Sequence, residues 1–199
     1  MTSSSLTLAA DAALVVIDLQ RGFDDSTFWG RRNNPAAEGN VSRLVRAWAS
    51  TGRPLVIVRH ESANPNSPLS PSGAGGDLKP EVADASADLH ITKTVNSAFY
   101  GTPDLHAWLT ERGIGQVVLA GIQTNMCNET TARMAGNLGH DVLFVLDAMH
   151  TFDLEGPDGS VMSADELTRA TATSLHGGGF ARVVATDDVL QAAGVPVVE

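Results

Sequence analysis

Three residues have side chains suited to covalent chemistry, and all three follow the same kind of segment. Asp18 comes directly after the apolar run "ALVVI" in "LVVIDLQRGF". Lys93 closes "LHIT" in "LHITKTVNSAFYG", and Cys127, the only cysteine of the chain, follows "VVLAGIQTNM". A buried, unpartnered carboxylate after five apolar strand residues costs several kcal/mol. Asp18 is therefore either a turn residue at a strand end or a perturbed functional group. A lysine at a strand's carboxyl end supplies a point charge to any crevice there, although most lysines are simply solvated. Cys127 falls where a strand pattern gives way to a helix pattern. With Thr124 or Asn125 as the cap, its thiol lies in the first helical turn, where backbone N–H groups and the helix dipole favour an anion. Its pKa is then expected below the ordinary value of about 8.5; the alternative is a buried core cysteine. A carboxylate, an ammonium and a thiol at one end of three strands supply a base, an electrostatic stabiliser and a nucleophile. Those are the parts of acyl transfer through a thioester.

The elements that must position them read as alternating strands and helices. The runs at 13–17, 54–58, 89–92, 117–121, 141–146 and 181–184 are short, rich in Val, Ile and Leu, and do not alternate with polar residues. That is the pattern of parallel strands covered on both faces. Between them, amphipathic spacing predicts helices over 36–51 (Val41, Leu44, Val45, Trp48) and 103–112 (Leu105, Trp108, Leu109). Further helices are predicted over 125–139 (Met126, Ala132, Met134, Ala135, Leu138) and 163–176 (Ala164, Leu167, Ala170, Ser174, Leu175). The expected fold is a three-layer α/β/α, Rossmann-like arrangement with a mostly parallel sheet of about six strands. It spans 1–199 as a single domain, with 1–10 as a polar tail. Two stretches, 61–80 and 150–163, break the rhythm. Both leave the carboxyl ends of strands, where open α/β sheets place ligands, and the first holds four of the nine prolines.

Composition narrows the function classes. The formal charge of −10 and the scattering of only 13 Lys and Arg argue against nucleic acid or an anionic membrane as partner. The first twenty residues lack a basic n-region, and Asp11 interrupts their apolar part, so they do not read as a signal peptide. A single cysteine forms no internal disulfide, and a reducing cytoplasm is the expected setting. There is no G-x-S-x-G elbow, no P-loop ending and no H-x-x-x-H pair.

At these residues the chain resembles the isochorismatase-like hydrolases, or cysteine hydrolases, which include nicotinamidases, N-carbamoylsarcosine amidases and ureidoacrylate amidohydrolases. The resemblance runs through "ALVVIDLQRGF", "PLVIVRHES", "ITKTVNSAFYGTPDLHAWL", "VVLAGIQTNMCNETTARMAGNLGHDVLFVLDAM" and "ATATSLHGGGFARVV". It implies Cys127 as nucleophile, Asp18 as proton shuttle and Lys93 as electrostatic partner. It also implies a cis peptide between Ile122 and Gln123, with the N–H groups of Gln123 and Cys127 as oxyanion hole. It implies a homodimer or homotetramer acting on a small-molecule substrate, and a C–N bond (amide, carbamoyl or ureido) as the bond cleaved. Nicotinamidases of this group hold a metal through a D-x-H segment. This chain has "VRHESANPNS" there, so no metal and no other cofactor is expected.

Other residues are candidates for the substrate pocket. Gln20 and Phe23 resemble pocket-lining positions of the family, and Phe23 reads equally as ordinary core. His60 is a polar wall or a locally bonded strand end, Asn96 a residue that orients Lys93, and Tyr100 part of an aromatic wall with Phe28 and Trp29. Asp147, His150 and Asp153 read more simply as loop-capping residues. Two other functions stay open on the residues alone. One is hydrolysis of a vinyl ether with Asp18 as general acid. The other is a small-molecule binder that never turns over.

Overall fold

The structure is a computed structural model and describes residues 6–196; Met1–Ser5 and Val197–Glu199 are outside it. Five strands come first in the sheet's chain order: β1 (Ala13–Ile17), β2 (Leu55–His60), β3 (Leu89–Lys93), β4 (Gln116–Ile122) and β5 (Asp141–His150). A small antiparallel hairpin, β6 (Leu154–Glu155) with β7 (Val161–Met162), and a last strand, β8 (Arg182–Val184), follow. The main sheet has the order β3-β2-β1-β4-β5-β8 with every pairing parallel. β5 runs four residues further than its apolar run suggests. It regains register with β4 after an irregularity between Leu119 and Gly121, so that Ile122 lies opposite His150.

Helices cover both faces: α1 (Ser26–Trp29), α2 (Ala37–Thr51), α3 (Pro80–Ala83), α4 (Leu105–Glu111), α5 (Glu129–Asn137), α6 (Ala164–Gly177) and α7 (Thr186–Ala192). Strand residues divide between the two sides as the pleat requires. Leu14, Val16, Leu55 and Ile57 pack with Val41, Leu44 and Trp48 of α2 and with Val189 of α7. Ala13, Val15, Ile17, Val56 and Val58 pack with Leu105 and Leu109 of α4, Ala132 of α5 and Leu175 of α6. This is the predicted three-layer α/β/α fold. Within α6 the buried face is Ala164, Thr171 and Leu175, whereas Ala170 and Ser174 are exposed. Leu138 is 40% exposed beyond the end of α5.

Residues 6–10 are not a loose tail. Leu6, Leu8 and Ala9 pack against the core, and Gln116 bonds both the Ala9 N–H and the Thr7 carbonyl. The stretch 61–80 is likewise seated on the body, with Leu69 and Lys79 buried. It lies so close to the turn after β1 that a Cβ on Gly22 would stand 2.7 Å from the Pro68 carbonyl oxygen. No helix among the described residues is long and apolar enough to cross a membrane.

The order 3-2-1-4-5-8 reverses direction between β1 and β4. Chains leaving those two strands turn to opposite faces, opening a crevice at their carboxyl ends. Asp18 leaves β1 there and the segment carrying Cys127 leaves β4 there.

Candidate active site

Asp18 is the first residue after β1 and has φ +55, in the left-handed region that costs a non-glycine residue about 1–2 kcal/mol. Its N–H still donates to the Val58 carbonyl of β2, so the strand's ladder continues while its side chain is redirected. Gly121 of β4 makes the close approach of the neighbouring strand possible. It has φ +128, pairs with Ile17, and an added Cβ would stand 2.0 Å from the Ile17 carbonyl oxygen. The next peptide, Ile122–Gln123, is cis. The chain then enters a π-helical turn, Thr124–Asn128, before α5, and Cys127 lies inside that turn. The residue before the turn is Gln123 and provides no side-chain cap, so neither Thr124 nor Asn125 has the expected capping role. The Gln123 carbonyl instead accepts from the Met126 and Asn128 N–H groups and from Asn128 Nδ2.

Lys93 ends β3, two strands away from β1, and its fully buried stem reaches over β2 to the crevice. Neighbouring strands lie about 4.8 Å apart, which is why a long side chain is needed there. The Nζ stands 2.6 Å from Asp18 Oδ2, 3.3 Å from Cys127 Sγ and 3.2 Å from His60 Nδ1. Asp18 and Lys93 side chains are both 0% exposed. A buried pair of this kind is stable only with close geometry and further hydrogen bonds. Asp18 Oδ1 is buried with no hydrogen-bond partner among the described residues.

Asp18, His60 and Cys127 place an oxygen, a nitrogen and a sulfur within 4.8 Å of one another, a donor set that zinc accepts. The Lys93 ammonium is within bonding distance of all three residues, so the donor set already has a cation.

The thiol does not follow the helix-terminus expectation. Burial, and after it the Asp18 charge, push the Cys127 pKa above its ordinary value; Lys93 opposes them and does not prevail. The physical reason is that Cys127 is 8% exposed and its sulfur lies within 4.8 Å of a carboxylate oxygen. The dipole of a short turn is the smaller effect. Cys127 therefore rests as the thiol.

The structure redistributes the other candidates. Gln20 is fully buried, and its side chain is used within the protein: it donates to the His60 and Gly76 carbonyls and accepts from the His60 N–H. Phe23 is 3% exposed and belongs to an aromatic stack with Trp29 and Phe152, on the face opposite Cys127. His60 does stand in the cluster. Asn96 offers its Oδ1 to the thiol at 3.8 Å, not to Lys93. Tyr100 is 70% exposed and stands outside the buried cluster. Asp147 accepts from the Thr186 N–H at the start of α7, and Asp153 accepts from the Ala164 N–H at the start of α6.

Sequence reasoning missed two residues beside the site. Thr151 is fully buried and bonds Asn125, and its Oγ1 lies 3.4 Å from Gln123 Oε1. Asn128 ties the π-turn to Gln123. Neither has a motif, since Thr and Asn after a strand or in a turn are ordinary. Only the long β5 brings Thr151 to this place.

A parallel α/β sheet with a thiol, a carboxylate and an ammonium gathered at its switch point defines a hydrolase of the cysteine type in its layout. The isochorismatase domain model matches residues 12–175, and the chain belongs to the isochorismatase family of hydrolases. A crystal structure from Chromobacterium violaceum, described as an isochorismatase-family hydrolase, is 39% identical. It superposes with a TM-score of 0.91 over 97% of this chain and 99% of that one. The isochorismatase family protein YrdC of Bacillus subtilis strain 168 is 35% identical over 89% of this chain and 94% of its own length. The ureidoacrylate amidohydrolase RutB of Variovorax paradoxus is 25% identical over 82% of each chain.

Proposed function

We propose that the protein hydrolyses a C–N bond of a small molecule, in an amide, carbamoyl or ureido group, through a thioester on Cys127. The observation that carries this reading is the buried ammonium of Lys93, bonded at once to the Asp18 carboxylate and the Cys127 sulfur, with the second carboxylate oxygen unpaired among the described residues. That oxygen is the acceptor for the thiol proton. Transfer from Cys127 to Asp18 leaves thiolate, carboxylic acid and ammonium, so the buried cluster keeps the same net charge. The thiolate attacks the carbonyl carbon, and the N–H groups of Gln123 and Cys127 stabilise the oxyanion. Asp18 returns its proton to the departing nitrogen, and the C–N bond breaks. A water then gives a proton to Asp18 and attacks the thioester. The acid leaves, and the sulfur regains the proton from Asp18. The name of the amidohydrolase relative supports the choice of a C–N bond.

The test is ammonia or amine release from a panel of small amides, carbamoyl and ureido compounds, with wild type and Cys127→Ala. The expected result is release by wild type, an acyl adduct on Cys127 in quenched intact mass spectra, and a loss of at least about a thousandfold in the variant. Turnover of the panel by Cys127→Ala near the wild-type rate excludes the thioester route. Vinyl ether hydrolysis retained by the same variant assigns the site to acid chemistry by Asp18.

A further inference from the structure

His60 ends β2 and Lys93 ends β3, and the two are partners in the parallel register, so their side chains leave the sheet on the same side. An ammonium has three protons and no acceptor. Around Lys93 stand three atoms that can accept: Asp18 Oδ2 at 2.6 Å, Cys127 Sγ at 3.3 Å and His60 Nδ1 at 3.2 Å, the last in the tautomer that carries its proton on Nε2. Nδ1 accepts only when it carries no proton. Burial first, and then the Lys93 charge, hold His60 below its ordinary pKa, against the opposing pull of Asp18 and of a bond to the Val95 backbone.

The backbone of His60 is held as firmly as its ring. Its N–H donates to Gln20 Oε1 at 2.8 Å, and its carbonyl accepts from Gln20 Nε2 at 3.0 Å. The same Nε2 reaches the Gly76 carbonyl at 3.1 Å, so one buried amide ties the end of β1, the end of β2 and the 61–80 stretch together. A line of bonds therefore runs from Gly76 through Gln20 and His60 to the Lys93 ammonium.

We propose that His60 is a positioning residue: it takes the third proton of Lys93 and so holds the ammonium against the Cys127 sulfur. The inference rests on the thioester reading above. Three acceptors and three protons do not compete, so removing His60 does not strengthen the other two bonds. It leaves a buried N–H unpaired, and the ammonium relieves this by turning away from the weakest remaining partner, the sulfur. The thiolate then loses its cation.

Alkylation of Cys127 by iodoacetamide, followed by intact mass against pH, reads this without a substrate, because the chain has one cysteine. The proteins are wild type, Lys93→Met, His60→Phe, His60→Leu and His60→Asn, each checked for a cooperative thermal melt. Two acceptor-free variants guard against one failing to fold, Phe keeping the ring volume and Leu giving it up. Both are expected to slow alkylation at pH 7 about tenfold. His60→Asn, whose amide oxygen restores an acceptor, recovers most of the rate. If the Phe, Leu and Asn variants are all equally slow, the role is packing and the inference is overturned. If Lys93→Met moves the profile and no His60 variant does, the inference is overturned and the thioester reading stands. If Lys93→Met moves nothing either, both fall.

Discussion

Replacing Asp18 by Asn separates the two roles of that carboxylate, because the reactivity of the thiol and turnover must change in opposite directions. In the wild-type protein the ammonium of Lys93 has Asp18 as its counter-ion, and the thiol stays protonated because burial and the Asp18 charge both disfavour a second anion. An Asn at 18 keeps the size of the side chain and removes the charge. The one group left beside the ammonium that can become an anion is Cys127, at 3.3 Å. The magnitude follows from distance. The Asp18 carboxylate and the Cys127 sulfur lie within 4.8 Å of one another, and unit charges that close, in an effective dielectric of about 20, repel by at least about 3 kcal/mol, or about two pKa units. Losing that repulsion lowers the thiol pKa by about this amount. Iodoacetamide should then alkylate Cys127 at pH 7 faster by one to two orders of magnitude, roughly.

Turnover of any amide substrate should meanwhile fall about 10²–10⁴-fold, since no proton acceptor remains. The pairing also predicts a stability pattern. Asp18→Asn alone lets the thiolate replace the carboxylate. Asp18→Asn with Cys127→Ala leaves the ammonium with no anion, a defect of about 3–5 kcal/mol. The double variant should therefore melt well below either single one. Alkylation that slows or does not change in a folded Asp18→Asn protein, with no fall in the midpoint of its pH profile, would refute the electrostatic reasoning.

Gly121→Ala forces a Cβ to within 2.0 Å of the Ile17 carbonyl oxygen at a φ of +128, so chemical denaturation should show a loss of more than about 3 kcal/mol or no folded protein. Acid stability should depend on His150, which is fully buried with neither ring nitrogen hydrogen-bonded among the described residues, its Nε2 standing 3.6 Å from Glu38 Oε1. Burial first, then Arg32 and Lys79, lower its pKa to about 3 against the pull of Glu38. The unfolded chain takes up that proton near pH 6.5 and the folded one only near pH 3, so stability is lost as pH falls through this window. At pH 5.5 the loss is about 1 kcal/mol, and the melting temperature of His150→Phe should vary less between pH 7 and 5.5 than that of wild type. Glu38, held down to about 2 by bonds from Arg32 and Lys79 despite its burial, contributes stability above about pH 4.5. Its loss adds only at more acid pH, as a melting series continued below pH 4.5 should show.

The fold was legible because its signals are local and repeated. Continuous runs such as "ALVVI" and "VVLAG" can satisfy only a strand covered on both faces, and the Val41, Leu44, Val45 and Trp48 spacing can satisfy only a helix with one apolar side. Asp18, Lys93 and Cys127 could be singled out because each follows a strand pattern and the three side chains together suit one chemistry, although each alone has an ordinary reading; their meeting within bonding distance of the Lys93 ammonium is what the structure adds. The roles of Gln20, Phe23 and Asn96 were not legible. Gln20 bonds across 40 and 56 residues of chain, and no spacing encodes which carbonyl an amide will find. Phe23 could be pocket or core on sequence alone, and only its partners Trp29 and Phe152 decide for core. The extension of β5 to His150 was hidden because its end contains Asp147 and His150, which interrupt the apolar pattern that marks a strand.

The direction of the Cys127 pKa is the most instructive difference. A helix N-terminus and a neighbouring lysine suggested an acidic thiol, and the fold instead buries the sulfur beside a carboxylate, which raises it. A raised pKa would disable a nucleophile that had to lose its proton to solvent, because that loss changes the charge of a buried site. It does not disable one whose proton moves to a carboxylate in the same buried cluster, because carboxylate plus thiol and carboxylic acid plus thiolate carry equal charge beside one ammonium. Burial penalises both states alike, and the barrier between them depends on how closely Lys93 can serve either anion. Its position, 2.6 Å from one and 3.3 Å from the other, lets it do so without moving. The same burial that makes the thiol inert towards protons in solvent therefore leaves it responsive to a substrate that draws its electrons.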